Sequence, residues 1–206
     1  MVDPVAPQPA YIRAAAEALA KGRAVVFPTT GLYGLGANAL DPRAVERIFD
    51  IKNRPAAMPI LVLVSSRREA SALVRGILPA AKRLMERFWP GPLTIVMEAS
   101  SLAPPLLCAG TGKIGVRMDA HPVAMALVRA NGGPVTGTSA NLSGQPAPAR
   151  VEELDQEVAR RCAVVLDAGE LSGGPGSTIV DVTVDPPAIL RQGAVPQNQV
   201  LKALRA

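Results

Sequence analysis

Two cations stand two residues apart at Lys52 and Arg54, at the exit of an amphipathic segment (Asp41 to Lys52) and ahead of a loop bracketed by Pro55 and Pro59. A short apolar run, Ala24 to Phe27, precedes them and breaks at Pro28-Thr29-Thr30-Gly31, with further glycines at 34 and 36. Glycines there leave a backbone free to approach a ligand or to take positive φ. Their spacing is neither that of a P-loop nor that of a dinucleotide-binding turn, and tight turns alone also explain them. Backbone donors joined to a lysine and an arginine can neutralise a triphosphate and the charge that moves in phosphoryl or nucleotidyl transfer. The guanidinium supplies a bidentate fork and the ammonium a point charge.

Other polar residues interrupt apolar segments. Arg117 closes Ile114-Gly115-Val116-Arg117-Met118, where a cation needs a partner, either a structural carboxylate or a ligand. Ser139 and Asn141 stand two apart after the buried Val135 to Thr138, a pattern that also makes a turn capping its own backbone. His121, the single histidine, precedes Pro122 at a helix start and reads better as a cap than as a general base. Cys108 and Cys162 have no CxxC spacing and no histidine nearby, so they read as small apolar groups, with no zinc site or disulfide framework. No carboxylate pair stands out as an acid–base couple, and nothing points to a covalent intermediate.

The elements that must position these groups alternate with short connections. Helices are expected at Tyr11 to Lys21, at 41–52, at 65–76, at 78–89, from His121-Pro122 to Arg129, from Val151 to Arg161, and at the C-terminal Gln199 to Ala206. Strands are expected at Ala24 to Phe27, Ile60 to Val64, Leu93 to Met97, Ile114 to Met118, Val135 to Thr138, Ala163 to Asp167, Thr178 to Val184 and Ile189 to Arg191. Leu102 to Leu107 is interrupted by proline and reads either way. This order predicts an α/β (α+β) domain, one twisted mixed parallel and antiparallel sheet flanked by helices. A single domain is expected over 10–206, with 1–9 a flexible Pro-rich arm and no additional C-terminal domain. The cations at strand and helix ends then face the mouth of the sheet, where open α/β folds hold ligands.

Composition bounds the rest. The 206 residues suffice for one well-cored domain, and aromatics at 3% leave few stacking platforms for single-stranded nucleic acid. The net charge of +5 is uneven: Asp41 to Arg87 holds ten Lys or Arg against five Asp or Glu, and Leu142 to Leu190 three against eight. The first half therefore leans towards an anionic partner. No apolar stretch approaches the roughly 20 residues of a membrane span, and the N-terminus lacks a signal pattern. A cytoplasmic protein without a membrane partner is expected.

FPTTGLYGLGANA followed by KNRP resembles the first loop and Lys-x-Arg motif of the YrdC-like family, the L-threonylcarbamoyladenylate synthases, and FWPGPLTIVM, IGVRMDAHPVA, TSANLSG, GSTIVDVT and ILRQGA follow in the family's order. The resemblance spans roughly residues 20 to 193. It implies a nucleotidyltransferase that forms threonylcarbamoyl-adenylate and pyrophosphate from L-threonine, bicarbonate or CO2, and ATP, the first step of the tRNA t6A37 modification. It implies Lys52 and Arg54 as catalytic residues that screen the phosphates. ATP would be held by Lys52, Arg54, Ser139, Asn141 and Arg191, and threonine by Thr29, Arg117, Gly137 and Ser177. Mg2+ would arrive with ATP and take no cysteine or histidine ligand. Implied partners also include tRNA or double-stranded RNA and the enzyme that transfers the threonylcarbamoyl group. The substrates of such a reaction supply both nucleophile and leaving group, so the protein's part is to position two anions and screen their repulsion.

The chain departs from the pattern at four places. The family's first loop reads Pro-Thr-acid-Thr, and Thr30-Gly31 stand here; a polar position of the Lys-x-Arg loop is Met58; a histidine of some relatives is Leu63, and a threonine is Lys113. These changes gather on the amino-acid side. Two other readings stay open: a non-catalytic double-stranded RNA or tRNA-binding module, whose binding would depend steeply on salt, and a relative acting on a different carbamoyl acceptor.

Overall fold

The computed structural model describes residues 1–3 and 6–205. Helix α1 (Pro9–Ala20) leads into strand β1 (Val25–Pro28), which turns back within four residues as β2 (Tyr33–Gly36). Helix α2 (Pro42–Lys52) begins at Asp41, whose side chain caps Arg43 N, and ends at Asn53 in the left-handed region. Then come β3 (Val62–Leu63), α3 (Arg67–Leu73), α4 (Pro79–Phe88), β4 (Leu93–Glu98), the single turn α5 (Pro105–Cys108), β5 (Lys113–Arg117) and α6 (Pro122–Asn131). The short strands β6 (Val135–Thr136) and β7 (Thr138–Ser139) flank Gly137. Helix α7 (Gln156–Arg161), β8 (Val164–Val165), β9 (Thr178–Asp181), β10 (Ala188–Arg191) and α8 (Gln197–Arg205) complete the order.

Pairing is mixed, as the alternation predicts, but it is divided between two sheets. One runs β7-β2-β1-β8 and the other β10-β9-β4-β5-β3-β6. Parallel pairs (β3 with β5, β4 with β9) alternate with antiparallel ones in the larger sheet, and the smaller sheet has one parallel pair, β1 with β8, beside two antiparallel ones. The chain crosses from the larger sheet to the smaller at Gly137, which is why the apolar run from Val135 is two strands. The smaller sheet is covered on one side by α1 and α6, which pack with Val25 and Phe27. Val26 and Leu35 instead join the main core with Ile48 of α2, Leu84 of α4 and Ile95, Val116 and Val180 of the larger sheet. The alternation of β1 thus binds two cores through one strand.

Several segments differ from the sequence reading. The glycines at 34 and 36 lie in β2, without positive φ: a Cβ on Gly36 would stand 2.6 Å from Phe27 Cε1 and 2.7 Å from Val135 Cγ1, so its bare backbone serves close packing and not a ligand. The segment from Val151 to Arg161 is a 3-10 turn (Val151–Glu153) and a separate α7 restarted by the Asp155 cap. Helix α3 stops early because Val74 bridges to Ala99. Strand β9 ends at Asp181, whose carboxylate turns the chain by accepting from Thr183 N and Oγ1. Of the arm expected at 1–9, Val2 is buried and donates to Asp167 O, and Pro4 and Val5 lie outside the described residues, as does Ala206 of the C-terminal helix. Trp89 is buried at the entrance to β4 and donates to Leu93 O at 2.7 Å.

Candidate active site

The period of two along the strands of the larger sheet separates core from cleft. In β5, Ile114 and Val116 are fully buried in the core, and Lys113, Gly115 and Arg117 face the other way. In β4, Leu93 and Ile95 go to the core and Thr94 and Val96 to the cleft; in and beside β9, Thr178 and Val180 oppose Ser177, Ile179 and Asp181. The hairpin turn Thr29 to Leu32, the loop from Arg54 to Leu61 and the glycine-rich loop before Ser177 wall this face. The cleft encloses about 650 Å3, enough for a nucleotide-sized ligand with a small partner. Arg54, Lys113, Arg117 and Arg191 line it, against the single acid Asp181.

At the end of β5, Arg117 is 5% exposed and forms an ion pair with Asp119, itself 1% exposed, at 2.5 Å. The structural carboxylate that the sequence left open is therefore present. Arg117 Nε is buried without a hydrogen-bond partner, and the residue still lines the cleft. Thr29 is nearly buried; its hydroxyl donates to Leu32 O at 2.7 Å and fixes the hairpin turn. Ser177 Oγ and Thr94 Oγ1 lie 2.8 Å apart. Arg191 reaches back over them: Nε and Nη2 donate to Ser177 O at 3.1 and 2.7 Å, and Nη2 to Ser177 Oγ at 3.2 Å. Burial, and then the neighbouring charge of Arg117, lowers the Arg191 pKa, yet a guanidinium stays charged. Gly137 sits against Leu61 and Leu63, where a Cβ would come within 2.7 and 2.8 Å of their side chains.

Lys52 is placed differently from a loop cation. It is the last residue of α2, 1% exposed, and its ammonium donates to Ser139 O at 2.5 Å, Asn141 O at 2.6 Å and Asn141 Oδ1 at 3.2 Å. Burial, helped by the charge of Arg54, pulls its pKa down to about 7. All three protons are engaged, so Lys52 ties the end of α2 to the Ser139–Asn141 turn from behind the cleft wall. Ser139 Oγ donates to Asn141 Oδ1 and lines the cleft; Asn141 turns away, its Nδ2 donating to Leu142 O and Gln145 O. Arg54 folds onto its own loop through Met58 O and Pro59 O, at 3.0 and 2.8 Å, while lining the cleft. Of the expected residues, Thr29, Arg54, Arg117, Gly137, Ser139, Ser177 and Arg191 come together around one space, and Lys52 and Asn141 stand immediately behind it.

Three features were missed by sequence reasoning. Lys113 pairs with Asp181 at 2.9 Å on the cleft floor, which the alternation of β5 and β9 could have disclosed. Tyr33, fully buried, donates to Gly169 O and accepts from Ala168 N, anchoring the loop that leads to Ser177; burial raises its pKa to about 12. Asp119 accepts at Oδ1 from Thr30 N, Thr30 Oγ1 and His121 N, and no sequence signal beyond an acid after a strand marks it. His121 itself caps α6, accepting from Val123 N at Nδ1. Among the described residues no group of three His, Cys, Asp or Glu is placed to hold a metal ion, and no helix is long and apolar enough to cross a membrane.

A cationic, hydroxyl-lined cleft on one face of a mixed sheet, walled by a hairpin turn and by loops, has the charge and size to suit an anionic small molecule. The chain belongs to the Sua5–YciO–YrdC family, whose model, described as "Telomere recombination", matches residues 17–193. It is 39% identical over 193 residues to a threonylcarbamoyl-AMP synthase of Pyrococcus abyssi, covering 94% of this chain and 57% of that protein. It is 36% identical to the threonylcarbamoyl-AMP synthase of Bacillus subtilis, covering 97% and 58%. The chain thus spans less than two thirds of the length of these two relatives. Among solved structures, P. abyssi Sua5 complexed with L-threonine superposes with a TM-score of 0.91 at 37% identity, over 98% of this chain and 60% of that one. Escherichia coli YciO gives 0.87 at 29% identity, over 95% of both chains.

Proposed function

We propose that the cleft forms threonylcarbamoyl-adenylate and pyrophosphate from L-threonine, bicarbonate or CO2, and ATP. The observation that carries this reading is the convergence of Arg54, Arg117 and Arg191, from three separate segments, on one cleft that also holds the hydroxyls of Thr29, Thr94, Ser139 and Ser177 and whose one lining acid, Asp181, is paired with Lys113. Its support from outside is the similarity to two threonylcarbamoyl-AMP synthases and to a Sua5 complexed with L-threonine. The amine of threonine adds CO2 and loses a proton, and the resulting carbamate oxygen attacks the α-phosphorus of ATP as the bond to pyrophosphate breaks. Two anions must meet, and the cations that line the cleft lower that repulsion. Arg117, a guanidinium lining the cleft, suits the amino-acid carboxylate. Arg54, Ser139 and Arg191 suit the phosphates, with Lys52 and Asn141 holding the Ser139 turn in place. Mg2+ would enter with ATP and supply further charge screening. Cytoplasmic tRNA, and the enzyme that moves the threonylcarbamoyl group onto it, follow as downstream partners.

A different carbamoyl acceptor is a second reading, favoured by Lys113 and Asp181, which add a charged pair to the cleft floor. Both are tested by pyrophosphate release from MgATP, omitting threonine and bicarbonate in turn and substituting other amino acids. Release that needs both, with the adenylate seen by mass spectrometry, is expected. Release with another amino acid but not threonine selects the second reading, and no release under any condition rejects both.

A further inference from the structure

A buried carboxylate ties the hairpin turn at Thr30 to the end of β5. Asp119 lies two residues beyond β5, 1% exposed, and its Oδ1 accepts from Thr30 N at 3.1 Å, from Thr30 Oγ1 at 2.9 Å and from His121 N at 2.8 Å. Its other oxygen faces Arg117 Nη2. One carboxylate therefore joins the hairpin turn, the N-terminus of α6 and the cation at the end of β5. Arg117 has no other protein partner among the described residues, so its orientation depends on Asp119, and its buried Nε remains unbonded. Four groups around a buried carboxylate exceed what a helix cap alone requires.

We propose that Asp119 is the positioning residue of the amino-acid half of the cleft. From the end of β5 it holds both the hairpin turn at Thr30 and the Arg117 guanidinium that lines the cleft. This rests on the threonine reading of the cleft. Loss of the Asp119 charge would leave the buried Arg117 guanidinium unpaired.

Isothermal calorimetry with L-threonine and steady-state pyrophosphate release test this together. Asp119→Asn keeps the acceptor for Thr30 and His121 and removes the charge that holds Arg117. It should raise the KM and Kd for threonine about tenfold or more while the KM for ATP moves less than about twofold. Thr30→Val, which cannot disrupt the fold through a buried charge, should give a smaller rise in the same constants. The exchange Thr30→Asp with Asp119→Ala should recover part of the threonine affinity, which a merely structural role would not do. Equal threonine affinity in wild type and Asp119→Asn, or parallel losses for threonine and ATP, overturns the assignment alone. A folded wild type that binds no threonine overturns the reading of the cleft as well.

Discussion

Lys52 shows how a charged side chain can belong to a site without entering it. A buried ammonium surrounded by three acceptor oxygens is held by them against its desolvation. Its folded pKa of about 7 lies below the ordinary 10.5, so between these values the unfolded chain binds more protons than the folded one. Stability from this group therefore rises as pH increases from about 7 to 10.5, and below 7 its burial weighs fully against the fold. The slope should amount to a few kcal/mol at most across the window and should vanish in Lys52→Met, as urea unfolding at the two ends would measure. Lys52→Met should also raise the KM for ATP through the loosened Ser139 turn; an unchanged KM would mean that the turn holds without it. Gly137 acts at the same scale by exclusion. An alanine there meets Leu61 and Leu63 within 3 Å and should cost about 1–3 kcal/mol, read as a lowered urea midpoint.

At the scale of elements, the cleft is walled by segments that hold each other. The β1–β2 turn meets the glycine-rich loop where Gly173 N donates to Gly31 O at 2.8 Å, and Gly31 has φ +96° with Gly173 O only 2.6 Å from where a Cβ would sit. Gly31→Ala is therefore strained twice, by backbone and by contact, and should cost about 1–3 kcal/mol. Its effect should not be confined to stability. By parting the two loops it should raise the KM for threonine and increase hydrogen exchange at Ser172 to Gly176. Tyr33, donating to Gly169 O, keeps the base of that loop in place, so the exchange should not spread to Ala168.

For the molecule as a whole, the question is whether two sheets unfold as one. Val26 and Leu35 of the smaller sheet share a core with Ile95, Val116 and Val180 of the larger, and the chain passes between the sheets at Gly137. The second core, under α1 and α6, also takes in Leu63 and Val135 of the larger sheet, so each core draws on both sheets. Trp89, the single tryptophan, is buried in the same core, so its fluorescence and the far-UV circular dichroism should report one urea midpoint. Two separated midpoints would show that the sheets are independent units.

The sequence by itself determined most helices and the strand cores, because apolar periodicity and turn residues are local signals that tertiary contacts here reinforce, and its resemblance to a family named most of the groups around the cleft. Val45, Ile48 and Phe49 mark α2 from spacing alone, and Arg117 announces a buried cation by interrupting Ile114 to Met118. Tertiary structure decided what no local pattern holds. It placed Gly34 and Gly36 in a strand, where Gly36 needs a bare Cα because Phe27 across the hairpin and Val135 from far along the chain pack against it. It broke the Val135 run between two sheets at Gly137. It turned Lys52 inward, where acceptors 87 and 89 residues away define its surroundings, and it paired Asp119 with Thr30 across 89 residues. Residue type fixes which chemistry is available; which groups meet depends on contacts between segments far apart in sequence, and those are settled only when the chain closes.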